Sequence, residues 1–268
     1  MKKLLIIVLA IMLTTGVTQA ATLLHYDFSD GSGTTATDLS GQGNHGTLGN
    51  FGDTSAGAGQ FGVSEGWVTG GGLSTLADGA RNYVSTPLLL TAVPNDWTIE
   101  YLASADGPAG DYTPAIATNQ TAWDGAKAFF LGLHNPSSSN QVQTPGWGGG
   151  QVGSHPYSVP GDQSDPSVHH IAAVYDSTTN VVEVFVDGVS AASTTQTGIN
   201  FGGAGNSLFR ICSSNWGWGS AATEEWDGIL YGVAISDTKL APGSFVVPEP
   251  MTLFLLGMGG LGLIRRRK

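Results

Sequence analysis

Apolar residues recur at every second position over short stretches of this chain, and no stretch between its two ends keeps the spacing of a helix. Leu24, Tyr26 and Phe28 share one face of a strand over 22–28, and Trp97, Ile99, Tyr101 and Ala103 share one face of the next clear strand. Ala128 to Leu133 is apolar throughout, the pattern of a strand buried on both faces. Residues 171–194 read as a unit. A strand over 171–175 is followed by a polar turn over 176–180 and a strand over 181–186, with Val182, Val184 and Val186 together. Asp187-Gly188 then has the sequence of a two-residue type I′ hairpin, in which glycine accepts positive φ without steric cost. Ile229, Tyr231, Val233 and Ile235 alternate in the last strand. Clusters of Gly, Pro, Ser and Asn separate these stretches. Short strands divided by turn signals predict an all-β fold, a sandwich or jelly roll.

The two ends follow other rules. Lys2 and Lys3 precede an apolar run from Leu4 to Leu13, and Thr18-Gln19-Ala20 offers small residues for cleavage, so residues 1–20 read as a secretory signal peptide cut after Ala20. At the other end, Pro248-Glu249-Pro250 cannot continue a helix or a central strand. The 14 uncharged residues Met251 to Ile264 follow, then Arg265, Arg266, Arg267 and Lys268. As a helix the run spans about 21 Å against a hydrocarbon core of about 30 Å. The basic residues lengthen its reach to the headgroups and keep that end cytoplasmic. Residues 21–246 are left as one domain, and 247–268 as the tail.

Most of the basic residues lie in those ends. Residues 21–247 keep four Lys and Arg against 20 Asp and Glu, a net charge of −16. Such a surface repels nucleic acid and anionic lipid, and suits cations, neutral glycans or basic partners. Cys212 is the only cysteine, so no internal disulfide forms and a hydrophobic core must hold the fold. It falls in the strand-like run 208–212 and reads as a buried structural thiol.

The tail, with its Pro-Glu-Pro triplet, Gly-rich apolar run and terminal basic cluster in order, resembles the PEP-CTERM sorting signal of exported bacterial proteins. The resemblance implies a Gram-negative host that makes exopolysaccharide. It also implies an exosortase-type membrane protease that recognises Pro248, Glu249 and Pro250 and removes the tail. The body carries a second resemblance. The opening from Tyr26 to Leu48, the blocks His169 to Asp176 and Val184 to Gly188, and the close from Trp226 to Ser236 are similar, in order, to a LamG-like, concanavalin A-like jelly roll. That family consists mostly of glycan- or protein-binding modules, with enzymes among its structural relatives. Tyr101 stands where the family often has Trp.

Laminarinase-type relatives carry two catalytic carboxylates on one strand as Glu-x-Asp-x-x-Glu. The nearest match is Glu225-Trp226-Asp227-Gly228-Ile229-Leu230, where Leu230 occupies the acid/base position, and this argues against that chemistry. Gly62-Val63-Ser64-Glu65-Gly66 spells a nucleophile elbow without the helix that motif needs. Gly-x-Gly-x-x-Gly occurs three times (41–46, 57–62 and 257–262), none of them opening a helix in a βαβ unit. No histidine pair has the spacing of a zinc protease. His169 and His170 lead into a strand and so point to opposite faces, one packed and one exposed.

Calcium is the better metal candidate. If the first and last strands pair antiparallel, Asp30 approaches Asp227, and Asp38 returns in the adjoining loop. These oxygens suit Ca²⁺, or they are turn residues capping local N–H groups. Trp147, Trp216 and Trp218 sit in glycine loops, as platforms for a sugar face or as loop anchors. Trp97 and Trp226, at strand starts, read as core. The chain is therefore expected to be an exported, non-catalytic carbohydrate-binding or structural protein of the envelope or exopolysaccharide matrix. Its partners would be glycan, signal peptidase, the sorting protease and the membrane through the tail. A polysaccharide-cleaving enzyme on the same fold and a protein-binding adhesin are the alternatives.

Overall fold

The computed structural model of the chain describes residues 21–50, 66–68, 70–74, 82–93, 96–105, 112–118, 129–134, 139–143, 168–195, 207–213, 226 and 228–247. These residues form two antiparallel sheets. The first contains β1 (Thr22–Tyr26), β4 (Leu73–Ser74), β6 (Trp97–Ala105), β10 (His169–Asp176), β11 (Val181–Val186), β12 (Val189–Thr195) and β14 (Gly228–Ser236). Its order is β1-β14-β6-β10-β11-β12, with β4 alongside β14. The second contains β2 (Thr35–Ala36), β3 (Gly46–Asn50), β5 (Asn82–Leu89), β7 (Tyr112–Thr118), β8 (Phe130–His134), β9 (Ser139–Gln143) and β13 (Leu208–Ile211), in the order β2-β3-β5-β13-β7-β8-β9. The first and last strands pair antiparallel, with Tyr26 opposite Val233 and Thr22 opposite Ser236.

Alternation puts one face of each sheet into a shared core. Trp97, Ile99, Tyr101 and Ala103 of β6, Ile171, Ala173 and Tyr175 of β10, and Val182, Val184 and Val186 of β11 enter it from the first sheet. Leu48, Val84, Ile116, Leu131, Phe209 and Ile211 meet them from the second. Trp226 is buried and sets its ring edgewise against Tyr101, 5.5 Å between centroids. Cys212 is buried and not part of a disulfide, but it lies just past β13 with φ +70° rather than in the strand.

The Asp187-Gly188 turn has φ of +48° and +75° and joins Val186 to Val189, the type I′ hairpin the sequence predicts. The alternation expected in the last strand is not what the fold adopts. A bulge between Leu230 and Gly232 sets those residues opposite Ala103 and Leu102, leaving Tyr231 as the extra residue. Leu230, Val233 and Ile235 therefore face the core, whereas Tyr231 packs on the opposite side of the sheet. One inserted residue reverses the inside and outside of everything before it.

The outer face of the first sheet is also covered. Thr98, Glu100, Leu102, His170 and Ala172 are buried there. After β14 the chain makes one 3-10 turn at Pro242–Ser244, and Phe245 to Val247 lie across this face.

Candidate functional site

The loop following β1 is organised by one carboxylate. Asp38 accepts the N–H groups of His25 (3.0 Å), Ser40 (3.0 Å) and Asn44 (2.8 Å) and the Ser40 hydroxyl (2.7 Å), while its own N–H donates to His45 Nδ1 (3.1 Å). Burial opposes its charge, but these donors outweigh burial and hold the carboxyl below the usual carboxylate range. The Tyr26 hydroxyl closes the loop by donating to Asn44 O at 2.6 Å. Asp30 accepts the N–H and hydroxyl of Thr37.

Asp38→Ala is expected to cost about 3 kcal/mol, since three backbone donors lose their partner at once. In a domain of this size that lowers Tm by roughly 6–12 °C. The folded-state pKa lies below the unfolded one. The contribution is therefore present above about pH 4 and is lost as pH falls through the folded value. Urea melts at pH 7 and pH 3 should show the gap between variant and wild type narrowing at the lower pH. A constant gap would show that the charge is not what closes the loop.

Asp30 and Asp38 thus act as turn caps, and an incoming calcium ion would have to share their oxygens with these protons. Asp227, the third residue of the calcium set, lies outside the described residues. Among the described residues, no three His, Cys, Asp or Glu side chains gather in a way that could hold a metal ion. Also outside them are the tryptophans Trp147, Trp216 and Trp218, the sorting residues Pro248, Glu249 and Pro250, the basic end Arg265, Arg266, Arg267 and Lys268, and Glu225.

Each of the nine described carboxylates is tied to donors of its own neighbourhood. Asp27 holds Ser29, Asp96 holds Ser177, Glu183 holds Ser190, and Asp237 holds the Ala21 N–H. Asp187 bridges the hairpin tip to β10, accepting the His170 N–H at 2.9 Å and meeting His169 Nδ1 at 2.8 Å. Asp176 takes Lys239, and that contact holds its carboxyl down at about 2. Glu100, wholly buried, meets His170 Nε2 at 2.8 Å. Leu230, at the acid/base position of the laminarinase-type pattern, is fully buried in the core.

Two described features escaped the sequence reading. The Glu100–His170 pair joins residues 70 positions apart, set side by side by the β6–β10 ladder. The signal available was an acid alone in the middle of a strand. Arg210 points away from the core side of β13, its guanidinium 4.3 Å above the Tyr83 ring. Burial pulls its pKa down and Tyr83 opposes that. An arginine between Phe209 and Ile211, in a domain with four basic residues, was the signal there. Of the histidine pair, His170 is the packed one, fully buried, whereas His169, expected to be exposed, keeps its side chain only 18% exposed against Asp187.

Two antiparallel sheets stacked about an aromatic core, with first and last strands paired, define a β-sandwich of the jelly-roll class. The chain belongs to the concanavalin A-like lectin/glucanases superfamily, whose model matches residues 78–244. Residues 246–268 match the PEP-CTERM protein-sorting motif. Among solved structures, the fold is similar to domain 4 of AbnA, a GH43 extracellular arabinanase from Geobacillus stearothermophilus determined with arabinotriose. That likeness has TM-score 0.60 and 18% identity, and covers 84% of this chain and 96% of that one. The NanB sialidase of Streptococcus pneumoniae matches at TM-score 0.53 and 16% identity over 67% of this chain and 28% of its own. The binding domain of Paraclostridial Mosquitocidal Protein 1 matches at TM-score 0.50 and 9% identity, over 83% of this chain and 50% of its own. These identities establish the fold alone. No curated protein sequence matches the chain. Among the described residues no helix is long and apolar enough to cross a membrane.

Proposed function

We propose that this is an exported, non-catalytic carbohydrate-binding module of the cell envelope or exopolysaccharide matrix. In this reading the signal peptide 1–20 and signal peptidase begin its export. The tail tethers it to the membrane until an exosortase-type protease acts at Pro248-Glu249-Pro250, and the protein ends at the cell surface or outside. The observation that carries the reading is the family match over 78–244 joined directly to a sorting motif over 246–268. The likeness in fold to domain 4 of an arabinanase, determined with arabinotriose, is in keeping with a glycan ligand. The burial of Leu230 and the local ties of the described carboxylates support binding over cleavage. Trp216 and Trp218 are the proposed sugar platform with Trp147, and Ca²⁺ at Asp30, Asp38 and Asp227 the proposed structural metal.

One experiment tests these together. The purified protein is passed over a panel of polysaccharides with Ca²⁺ and with EDTA, and the supernatant is assayed for new reducing ends. Retention without reducing ends is the expected result. The double variant Trp216→Ala/Trp218→Ala should lose at least about tenfold in affinity, the equivalent of 1.4 kcal/mol, with its Tm unchanged. Equal retention and equal Tm in Ca²⁺ and EDTA would remove the calcium site. New reducing ends would make the protein a polysaccharide-cleaving enzyme, and retention on envelope proteins alone would make it an adhesin.

A further inference from the structure

The chain does not leave the sandwich where β14 ends. Asp237 exchanges two hydrogen bonds with Ala21, donating its N–H to Ala21 O and accepting the Ala21 N–H, which ties the two ends of the described domain together. Leu240 N–H donates to Thr98 Oγ1 at 2.9 Å, and that hydroxyl donates to Thr238 O. Beyond the Pro242–Ser244 turn, Phe245 sets its ring 5.1 Å from His170 and 5.6 Å from Phe185. Val247 is 2% exposed and packs on Leu102 and Ala234. Gly232 lies directly beneath it. A Cβ there would stand 3.1 Å from a Val247 methyl, so any side chain at this position would make Val247 give by a few tenths of an ångström.

Among the described residues the strap has no ladder partner; a side chain takes the place of one. Glu100 Oε1 accepts the Val246 N–H at 2.9 Å, and Oε2 accepts the Val247 N–H at 3.2 Å and meets His170 Nε2 at 2.8 Å. Two successive backbone N–H groups aimed at one anion form a nest, a geometry that an extended strand, with its alternating amides, does not present. Burying a carboxylate in a sheet face is costly unless every oxygen is met. Here the groups that meet it come from the strap and from one histidine. The strap and Glu100 therefore depend on each other.

We propose that Glu100 and His170 form a docking site for the chain's own residues Phe245–Val247, and that this dock holds the sorting junction against the folded sandwich. Pro248 is bonded directly to Val247, so the tripeptide Pro248-Glu249-Pro250 begins with no spacer after a buried residue. Val246 and Val247 are themselves the first two residues of the sorting-motif match. The folded domain thus presents the tail from one fixed point, and a chain with the sheet face unformed has its junction undocked. The role of the tail rests on the export reading above; the dock does not.

The test is hydrogen exchange of the purified full chain in detergent micelles, with no processing enzyme present. A failure of the dock is thereby separated from a failure of the sorting reading. In the wild type, the Val246 and Val247 amides should exchange at least about 100-fold slower than in an unstructured peptide. Glu100→Ala should bring both to within about tenfold of the unstructured rate while β10 and β14 stay protected. Fast exchange in the wild type, or retained protection in Glu100→Ala, overturns the proposal. If Glu100→Ala does not fold, Phe245→Ala removes a strap contact and leaves the sheet's own residues in place. It should speed exchange at Val246 and Val247 by at least about tenfold, with the β10 amides unchanged; no change at those two amides overturns the proposal.

Discussion

Leu230→Glu is expected to yield no stably folded protein at neutral pH. The substitution restores the Glu-x-Asp-x-x-Glu spelling over residues 225–230, so on sequence alone it would complete a glycosidase-like pair. In the fold, Leu230 is fully buried, faces the core and sits opposite Ala103 in the β6 ladder. An unpaired carboxylate there would be buried in the hydrophobic core cluster, at a cost of about 5 kcal/mol or more, comparable with the whole stability of an ordinary domain. The bulge at Tyr231 is the reason: it turns residue 230 to the side from which no substrate can approach. Circular dichroism and urea melts decide the matter. A soluble variant with wild-type Tm would mean that position 230 opens onto a cleft, and would return weight to the enzyme reading.

Trp97→Ala is expected to cost about 4 kcal/mol, and so roughly 8–16 °C in Tm. Trp97 is fully buried at the start of β6 and joins the sheets through rings. Its centroid lies 5.7 Å from Tyr175 on β10 and 5.9 Å, edge to face, from Phe129 just before β8. Phe129 in turn stacks edgewise on Phe209 of β13 at 5.9 Å. With a single cysteine and so no internal disulfide to hold the layers, this chain of aromatic contacts is a direct tie between them. Val189→Ala, at a position 69% exposed on the hairpin, is the control and should be near neutral. A loss below about 1 kcal/mol at Trp97 would show that the aromatic chain is not what closes the sandwich.

These expectations mark how far the sequence could be read. Alternation over Trp97 to Ala103, the Asp187-Gly188 turn and the burial of Trp226, Cys212 and one of the two adjacent histidines depend on a few neighbouring residues, and all were legible. The pairing of first and last strands entered the sequence reading only as a condition, and the fold meets it. The turn-capping chemistry of Asp30 and Asp38 was visible as one of two readings, because an Asp in a Gly-rich loop reaches the N–H groups near it whatever the rest of the chain does.

What the sequence by itself determined, then, was the all-β class, the hairpins, the core faces of the regular strands and the PEP-CTERM sorting motif, each written in residues close together. Only the tertiary structure decided the bulge in β14, because whether Tyr231 is inserted depends on how Gly228–Ser236 fits against β6. Only it could join Glu100 to His170 across 70 residues and to Val246 and Val247 across 146 and 147. A lone acid in a strand does not say which distant donors will meet it. Those partners exist only once the sheet has formed and the chain end has folded back over it.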